Sequence, residues 1–203
     1  MNYWVLIADD HSMIRKGLKL FLQMYNENSI IHEVGTCNDL MKELIKNKYT
    51  HLILDIIMPD GNTLEVIPNI RKVYPELQIM IFSMQPPEIY ADALKQYGIT
   101  NYMSKSLEED QIIEGLSKFM SNQPAVSMIG KTITPLNPFS QLAPRELEIL
   151  HYVLRGLRTK EIGDTLNLKM STISTIKHRI FEKTGAGNFK ELLELASLYN
   201  LNY

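Results

Sequence analysis

Short apolar runs alternate with amphipathic stretches through the first 120 residues. Tyr3–Ala8, Ile30–Gly35, Leu52–Leu54, Leu77–Phe82 and Ile99–Met103 are rich in Ile, Val, Leu and aromatic side chains, the composition of buried strands. Between them, Met13–Met24 places Ile14, Leu18, Phe21 and Leu22 on one helical face, and Asp39–Lys48, Leu64–Val73, Glu88–Tyr97 and Glu108–Met120 read as helices by the same spacing. Parallel strands need crossover connections, so this alternation predicts a parallel sheet with helices on both faces.

Five such strand–helix units predict an α/β domain of the flavodoxin-like, doubly wound kind with a five-stranded parallel sheet. The pattern then breaks. Ser121-Asn122-Gln123-Pro124, Gly130, Pro135 and Pro138 punctuate a stretch without apolar periodicity, which reads as a linker over residues 122–141. Beyond it four helical stretches follow, Pro144–Arg155, Thr159–Leu166, Ser171–Thr184 and Asn188–Tyr199. The expected organisation is therefore residues 1–121, a linker, and a small all-α four-helix domain over residues 142–203.

Composition adds constraints. The apolar fraction of 45% and charged fraction of 22% are those of an ordinary globular chain. The single cysteine, Cys37, excludes an internal disulfide and reads as a small buried apolar residue. No apolar run approaches the roughly 18 residues of a membrane span. The opening Met1–Ala8 stretch lacks a basic leader and is too short for a signal peptide core. The expectation is a cytoplasmic protein without a membrane segment. Charge is uneven: residues 1–140 hold 12 Lys/Arg against 16 Asp/Glu, and residues 141–203 hold 9 against 7. A mildly basic back half is compatible with nucleic-acid binding.

In an open α/β sheet, ligands bind beyond the carboxyl ends of the strands. Polar residues stand there in order: Asp9 and Asp10 after the first apolar run, Asp55 after the third, Ser83 after the fourth and Lys105 after the fifth. Carboxylates gathered at one edge repel one another, and Mg²⁺ relieves that repulsion with oxygen ligands and water. A lysine and a hydroxyl nearby suit an anion, so the set has the chemistry of a phosphoryl site. Taken alone, Asp55 would more readily be a cap or turn residue, Asp60-Gly61 a turn, and Tyr102 a half-buried strand aromatic. His11 is a weak candidate metal ligand, and His32 and His51 show no partner pattern.

The series Asp9-Asp10, Asp55, Ser83, Lys105, with Asp55-Ile56-Ile57-Met58-Pro59-Asp60-Gly61 and the opening Asp9–Leu18, resembles the receiver domain of two-component response regulators across residues 1–120. The resemblance implies that Asp55 takes a phosphoryl group from a histidine kinase. It further implies that Asp9, Asp10, Asp55 and the backbone carbonyl of Ile57 hold Mg²⁺, and that Lys105 neutralises charge on the transferred group. Ser83 would swing onto the phosphoryl group while Tyr102 turns inward, favouring a homodimer through the fourth helix and fifth strand. The chain would not be an enzyme beyond its own phosphorylation and dephosphorylation. Two departures bear on the site. Ser106 follows Lys105 where a proline is frequent, and Met84 is bulkier than the small residue usual beside the hydroxyl, and is expected to restrict access.

Residues 142–203 resemble the LuxR-type helix-turn-helix domain of the NarL/FixJ response regulators, through Leu142–Leu150, Gly156-Leu157, Lys160–Leu166, Leu168, Ser171–Thr175, Ile180–Gly185 and Asn188–Leu192. Ile173, Ile176 and Ile180 recur at helical spacing and would seat the recognition helix. The resemblance places Ser174, Thr175 and His178 at base-reading positions in double-stranded DNA, and Thr172, Lys177, Arg179 and Lys183 at phosphates. Ala143 lacks the usual N-cap hydroxyl, and Gly163 stands where alanine is common, each expected to cost up to ~1 kcal/mol. The apolar row on the last helix, ending in Leu198, exceeds what one small core needs, and a dimer contact is expected for part of it. Three rivals remain: a phosphatase using Asp55, though Ile57 stands where its general acid would be; a pseudo-receiver that is never phosphorylated; and a small-molecule-sensing regulator with the same output domain.

Overall fold

Five strands and a short hairpin carry the first part of the chain in the computed structural model, which describes residues 3–123 and 137–201. The strands β1 (Trp4–Ala8), β2 (Ile30–Val34) and β3 (His51–Leu54) precede a hairpin of β4 (Ile57–Met58) and β5 (Gly61–Asn62), and β6 (Gln78–Ser83) and β7 (Asn101–Ser104) follow. The hairpin apart, all pair in parallel in the order β2-β1-β3-β6-β7. Leu6 of β1 lies opposite His32 on one side and Leu52 on the other. The strand order reverses direction at β1 and β3, which opens a crevice at their carboxyl ends.

β1, β3 and β6 are central, and their runs Val5–Ala8, Leu52–Leu54 and Ile79–Phe82 are almost wholly inaccessible, as expected of parallel strands covered on both faces. The edge strand β2 is only partly buried and carries His32 and Glu33. One face packs Val5, Ile7, Ile53, Met80 and Phe82 against Leu18 and Leu22 of α1 (Ser12–Tyr25) and Leu116, Phe119 and Met120 of the helix Glu109–Met120.

The other helices in this sequence region are α2 (Cys37–Lys46), α3 (Ile67–Val73), α4 (Pro87–Lys95) and α5 (Glu109–Met120). Helix α2 begins two residues before its expected start because the Thr36 hydroxyl accepts a hydrogen bond from the Asp39 amide at 3.0 Å, a capping contact. The expected helix Leu64–Val73 is split. A 3-10 turn at Thr63–Glu65 comes first and α3 begins only at Ile67, with Pro68 in its opening turn, the one place in a helix where a missing amide hydrogen costs little.

The described residues form two compact units, 3–84 with 97–123, and 85–96 with 137–201. The second contains α4 and a 3-10 turn at Pro138–Gln141, followed by α6 (Pro144–Leu154), α7 (Thr159–Leu166), α8 (Met170–Thr184) and α9 (Phe189–Leu198). Phe139 in the turn is fully buried, its ring 6.0 Å from that of Tyr199, so residues 137–141 at the end of the expected linker pack on the helices. Residues 124–136 of that linker lie outside the described residues. Among the described residues no helix is long and apolar enough to cross a membrane.

Helices α7 and α8 meet through a three-residue turn. Asn167 takes the left-handed conformation at φ 51° and closes α7, and the Leu168 amide donates to the Gly163 carbonyl at 2.8 Å. A Cβ on Gly163 would lie 2.8 Å from the Leu168 carbonyl oxygen, and backbone there has little room to give. The glycine expected only to weaken α7 thus also leaves room for the close approach of the Leu168 carbonyl in this chain. Gly163→Ala should destabilise this unit by about 1 kcal/mol net, since an overpacking cost of roughly 1–3 kcal/mol exceeds the ~1 kcal/mol gained in helix propensity. Thermal unfolding of the variant checks this, and a raised Tm would contradict it.

Candidate phosphoryl-transfer site and helix-turn-helix

The acidic turn after β1, the β3 end, the β6 end and the β7 end converge at one edge of the sheet. Asp55 follows β3 and is 5% exposed. Its Oδ1 accepts a hydrogen bond from the Ser83 hydroxyl at 2.6 Å, and its Oδ2 lies 2.5 Å from the Lys105 ammonium. The same ammonium is 2.6 Å from Asp9 Oδ2, so one buried lysine bridges two buried carboxylates. Lys105 reaches this point because its amide donates to the Ser83 carbonyl at 2.9 Å, extending the β6–β7 pairing by one residue.

These contacts set the electrostatics. Burial pushes the Asp55 carboxyl above the usual carboxylate range, with Lys105 and Ser83 offsetting only part of the rise and Asp9 adding to it. Burial alone would pull the Lys105 ammonium down, but Asp55 and Asp9 outweigh it and hold the proton more tightly than on an ordinary lysine. Two buried carboxylates and the part-exposed Asp10 face one ammonium, leaving excess negative charge that a divalent cation would neutralise. Atoms of Asp9, Asp10, His11 and Asp55 suited to a metal lie within 4.8 Å of one another. The donor set fits Mg²⁺, being mainly carboxylate oxygen.

Loop bonds fix the remainder. The Thr63 hydroxyl, fully buried, donates to the carbonyl oxygens of Asp55 at 2.8 Å and Ile56 at 3.2 Å. Asp60 accepts from the amides of Cys37 at 2.7 Å and Asn38 at 2.9 Å, tying the β4–β5 hairpin to the start of α2. Arg15 donates to the Asp9 carbonyl at 2.5 Å and holds the acidic turn from α1. The sequence singled out none of these three supports. Only the Asp60-Gly61 turn signal pointed near one of them. Cys37 is buried, its thiol pushed up to about 12 by burial and then by Asp60, in keeping with an inert residue.

Of the other expected site residues, Ile57 opens β4 and is partly buried, and its amide donates weakly to Asp55 Oδ1 at 3.4 Å. Tyr102 lies on β7 opposite Ile81 and is half-buried. Ser83 is already bonded to Asp55, with its hydroxyl turned toward the acid. Met84 beside it is 51% exposed. His32, for which the sequence offered no partner, bonds Glu43 at 3.1 Å and Tyr49 at 2.5 Å.

In the second unit, α8 buries Ile173 and Ile180 and leaves Thr172, Ser174, Thr175, His178 and Arg179 exposed. Lys177 is half-buried with its ammonium 3.5 Å from the Thr159 hydroxyl. Lys183 is engaged within the domain, 2.6 Å from Glu146 Oε2 and 3.2 Å from the Gln141 carbonyl. Glu146 also accepts from the Ala143 amide at 2.8 Å, preserving half of a capping box that lacks its hydroxyl. On α9, Leu192 and Ala196 are buried while Leu198 is 72% exposed.

A doubly wound sheet with paired acids, a hydroxyl and a lysine at its carboxyl edge, in one chain with a helix-turn-helix, defines a phosphoacceptor regulator. Comparison with known proteins agrees. The response regulator receiver domain matches residues 5–117, and the luxR family of bacterial regulatory proteins matches residues 140–196. The chain belongs to the response regulators, with a receiver domain followed by a LuxR-type regulatory domain. It is similar to the oxygen regulatory protein NreC of Staphylococcus aureus strain JH9, at 26% identity over 95% of both chains. Among solved structures it resembles RcsB from Salmonella enterica serovar Typhimurium bound to promoter rprA with the phosphomimetic BeF₃⁻, with TM-score 0.82 and 26% identity over 97% of this chain and 99% of that one. A second RcsB structure, from work on conformational dynamism for DNA interaction, gives TM-score 0.80 at 27% identity over 98% of each chain.

Proposed function

We propose that Asp55 is the phosphoacceptor and that its phosphorylation promotes homodimerisation and sequence-specific binding of double-stranded DNA through α8. The observation that carries this reading is the bridge of Lys105 between buried Asp55 and Asp9, with Ser83 on the other oxygen of Asp55. A buried carboxylate held by an ammonium and a hydroxyl is a nucleophile whose product can be stabilised where it forms.

An oxygen of Asp55 attacks phosphorus as the phosphorus–nitrogen bond of a histidine kinase's phosphohistidine breaks, giving an acyl phosphate. Lys105 keeps its proton and meets the negative charge on the transferred group, and Ser83 turns its hydroxyl from the carboxylate to a phosphoryl oxygen. Asp9, Asp10, Asp55 and the Ile57 carbonyl would hold Mg²⁺, which when bound supplies further neutralisation of phosphoryl charge. Met84 narrows access to the new acyl phosphate. Ser83's new bond frees space into which Tyr102 turns, a local charge change that biases a two-state surface used in dimerisation. Hydrolysis of the acyl phosphate by the chain itself returns it to rest, and the chain has no other catalytic activity.

On the DNA side, Ser174, Thr175 and His178 would read base edges and Thr172, Lys177 and Arg179 would meet phosphates, while Lys183 would have to leave Glu146 to do so. RcsB is seen bound to promoter DNA, and in one structure two RcsB dimers bind two parallel DNAs; here the exposed Leu198 on α9 belongs to the dimer contact. The receiver spans residues 1–121, the linker 122–141 and the DNA-binding domain 142–203, in a cytoplasmic protein. Incubation with acetyl phosphate, followed by intact mass and peptide mapping, tests the reading. We expect one phosphoryl adduct on Asp55 that needs Mg²⁺ and is lost in Asp55→Asn. No adduct with or without Mg²⁺ would favour the pseudo-receiver instead.

A further inference from the structure

His11 stands at the mouth of the acidic site, at the N-cap of α1, where its side chain makes no capping hydrogen bond. A histidine with no structural task there could turn its ring to solvent, and 64% of its side chain is exposed. Its Nδ1 nevertheless faces the carboxylates, 2.6 Å from Asp10 Oδ1 and 3.4 Å from Asp9 Oδ1. The backbone helps to fix it there, because the His11 amide donates to Asp9 Oδ1 at 2.8 Å and its carbonyl accepts from Arg15. The ring therefore belongs to the same group of ligand-capable atoms as Asp9, Asp10 and Asp55, all within 4.8 Å of one another.

We propose that His11 adds a nitrogen donor to this cation site, so that the receiver binds borderline divalent ions such as Co²⁺, Ni²⁺ and Zn²⁺ through three carboxylates and an imidazole. The proposal rests on the reading of Asp9, Asp10 and Asp55 as a cation site. Mg²⁺ is a hard ion that prefers oxygen and keeps its waters, and an imidazole offers it little. Later first-row ions take imidazole readily and bind mixed nitrogen and oxygen sets more tightly in the order Mn²⁺, Co²⁺, Ni²⁺. Ligands on an ion with bonds of about 2.1 Å stand about 3–3.5 Å apart, and the separation of His11 Nδ1 from Asp9 Oδ1 is already 3.4 Å. Its closer hydrogen bond to Asp10 would break to admit the ion, the Nδ1 proton passing to Nε2 of the same ring or to solvent. The consequence is competition: an imidazole-binding ion would occupy the position that Mg²⁺ needs.

Calorimetric titration of the full chain with Co²⁺ and, separately, with Mg²⁺ tests the proposal in wild type, His11→Ala and Asp10→Ala. The readout is the ratio of the two affinities, together with the visible Co²⁺ spectrum that reports nitrogen ligation. His11→Ala should lower the ratio of Co²⁺ to Mg²⁺ affinity by about tenfold or more, at least what loss of a supporting group costs a metal site. An unchanged ratio and an unchanged Co²⁺ spectrum in His11→Ala would overturn the proposal while leaving the Mg²⁺ site intact. If Asp10→Ala binds both ions like wild type, or wild type binds neither, the cation-site reading itself fails and the role of His11 goes with it.

Discussion

Lys105→Ala should destabilise the N-terminal unit by about 3–4 kcal/mol near neutral pH in the absence of divalent cations. The Lys105 ammonium is within 2.6 Å of carboxylates on both Asp9 and Asp55, and all three side chains are nearly inaccessible. Removing it strands two buried charges, a change that typically costs roughly 3–5 kcal/mol. Protonation sets a ceiling for each carboxyl, because holding one of ordinary pKa near 3.9 in its neutral form at pH 7 costs about 4 kcal/mol, and one proton shared between the two would relieve most of their repulsion. The sign with pH follows. The stranded carboxyl has its folded pKa raised further than burial already raises that of Asp55, so its penalty is small near pH 4, where the unfolded chain is also protonated, and grows as pH rises. The single tryptophan, Trp4, lies on β1, so its fluorescence during urea unfolding reports this unit separately from the helices. Mg²⁺ should restore part of the loss. A deficit under about 1 kcal/mol at pH 7 would mean that the pair is far better solvated than its burial implies.

The second large effect belongs to α8. Thr175→Ala and His178→Ala should each weaken binding to a preferred site, selected from randomised DNA, by about 1–3 kcal/mol while leaving non-specific binding nearly unchanged. Arg179→Ala should weaken all sequences alike and reduce the slope of log affinity against log salt by about one. Fluorescence anisotropy across a salt series separates the two behaviours. Both sets of side chains are exposed while Ile173 and Ile180 hold the helix to its core, so neither change should unfold the domain. If the Thr175 and His178 variants lost affinity for every sequence equally, α8 would be gripping backbone rather than reading bases.

Strand positions and the polar residues at their ends were legible because period and composition report burial directly. Val5–Ala8 and Leu52–Leu54 are apolar at every position because helices cover both faces of the central strands, and the acids follow where cover stops. Helix starts were less so. α2 begins where Thr36 can accept an amide, and α3 where Pro68 can be tolerated, each depending on one residue outside the periodic pattern. The supports of the site were barely legible, Asp60-Gly61 showing only as a turn. Asp60 reaches 23 residues back to the start of α2, and Thr63 bonds the carbonyl of Asp55 itself; such long or backbone-directed contacts leave no spacing rule in a single chain. Gly163 was legible as a helix-weakening residue but its tight packing was not, because its cost to the helix is local while the room it leaves depends on where Leu168 returns. His32 acquired partners in the same way, from α2 and from the loop that leads into β3.

The strand order has a consequence for synthesis at the ribosome. β1 leaves first but must wait for β3 to complete its pairing, and β7, which delivers Lys105, is the last strand added. Until then the nascent chain carries Asp9 and Asp55 without their ammonium, on parallel strands whose non-local contacts form slowly. The apolar strands are meanwhile open to mispairing. Helices α6–α9 contact one another over shorter sequence separations and should form faster. A pause or a bound chaperone should therefore change the yield of a regulator able to receive its signal most while the segment from β1 to β7 is emerging.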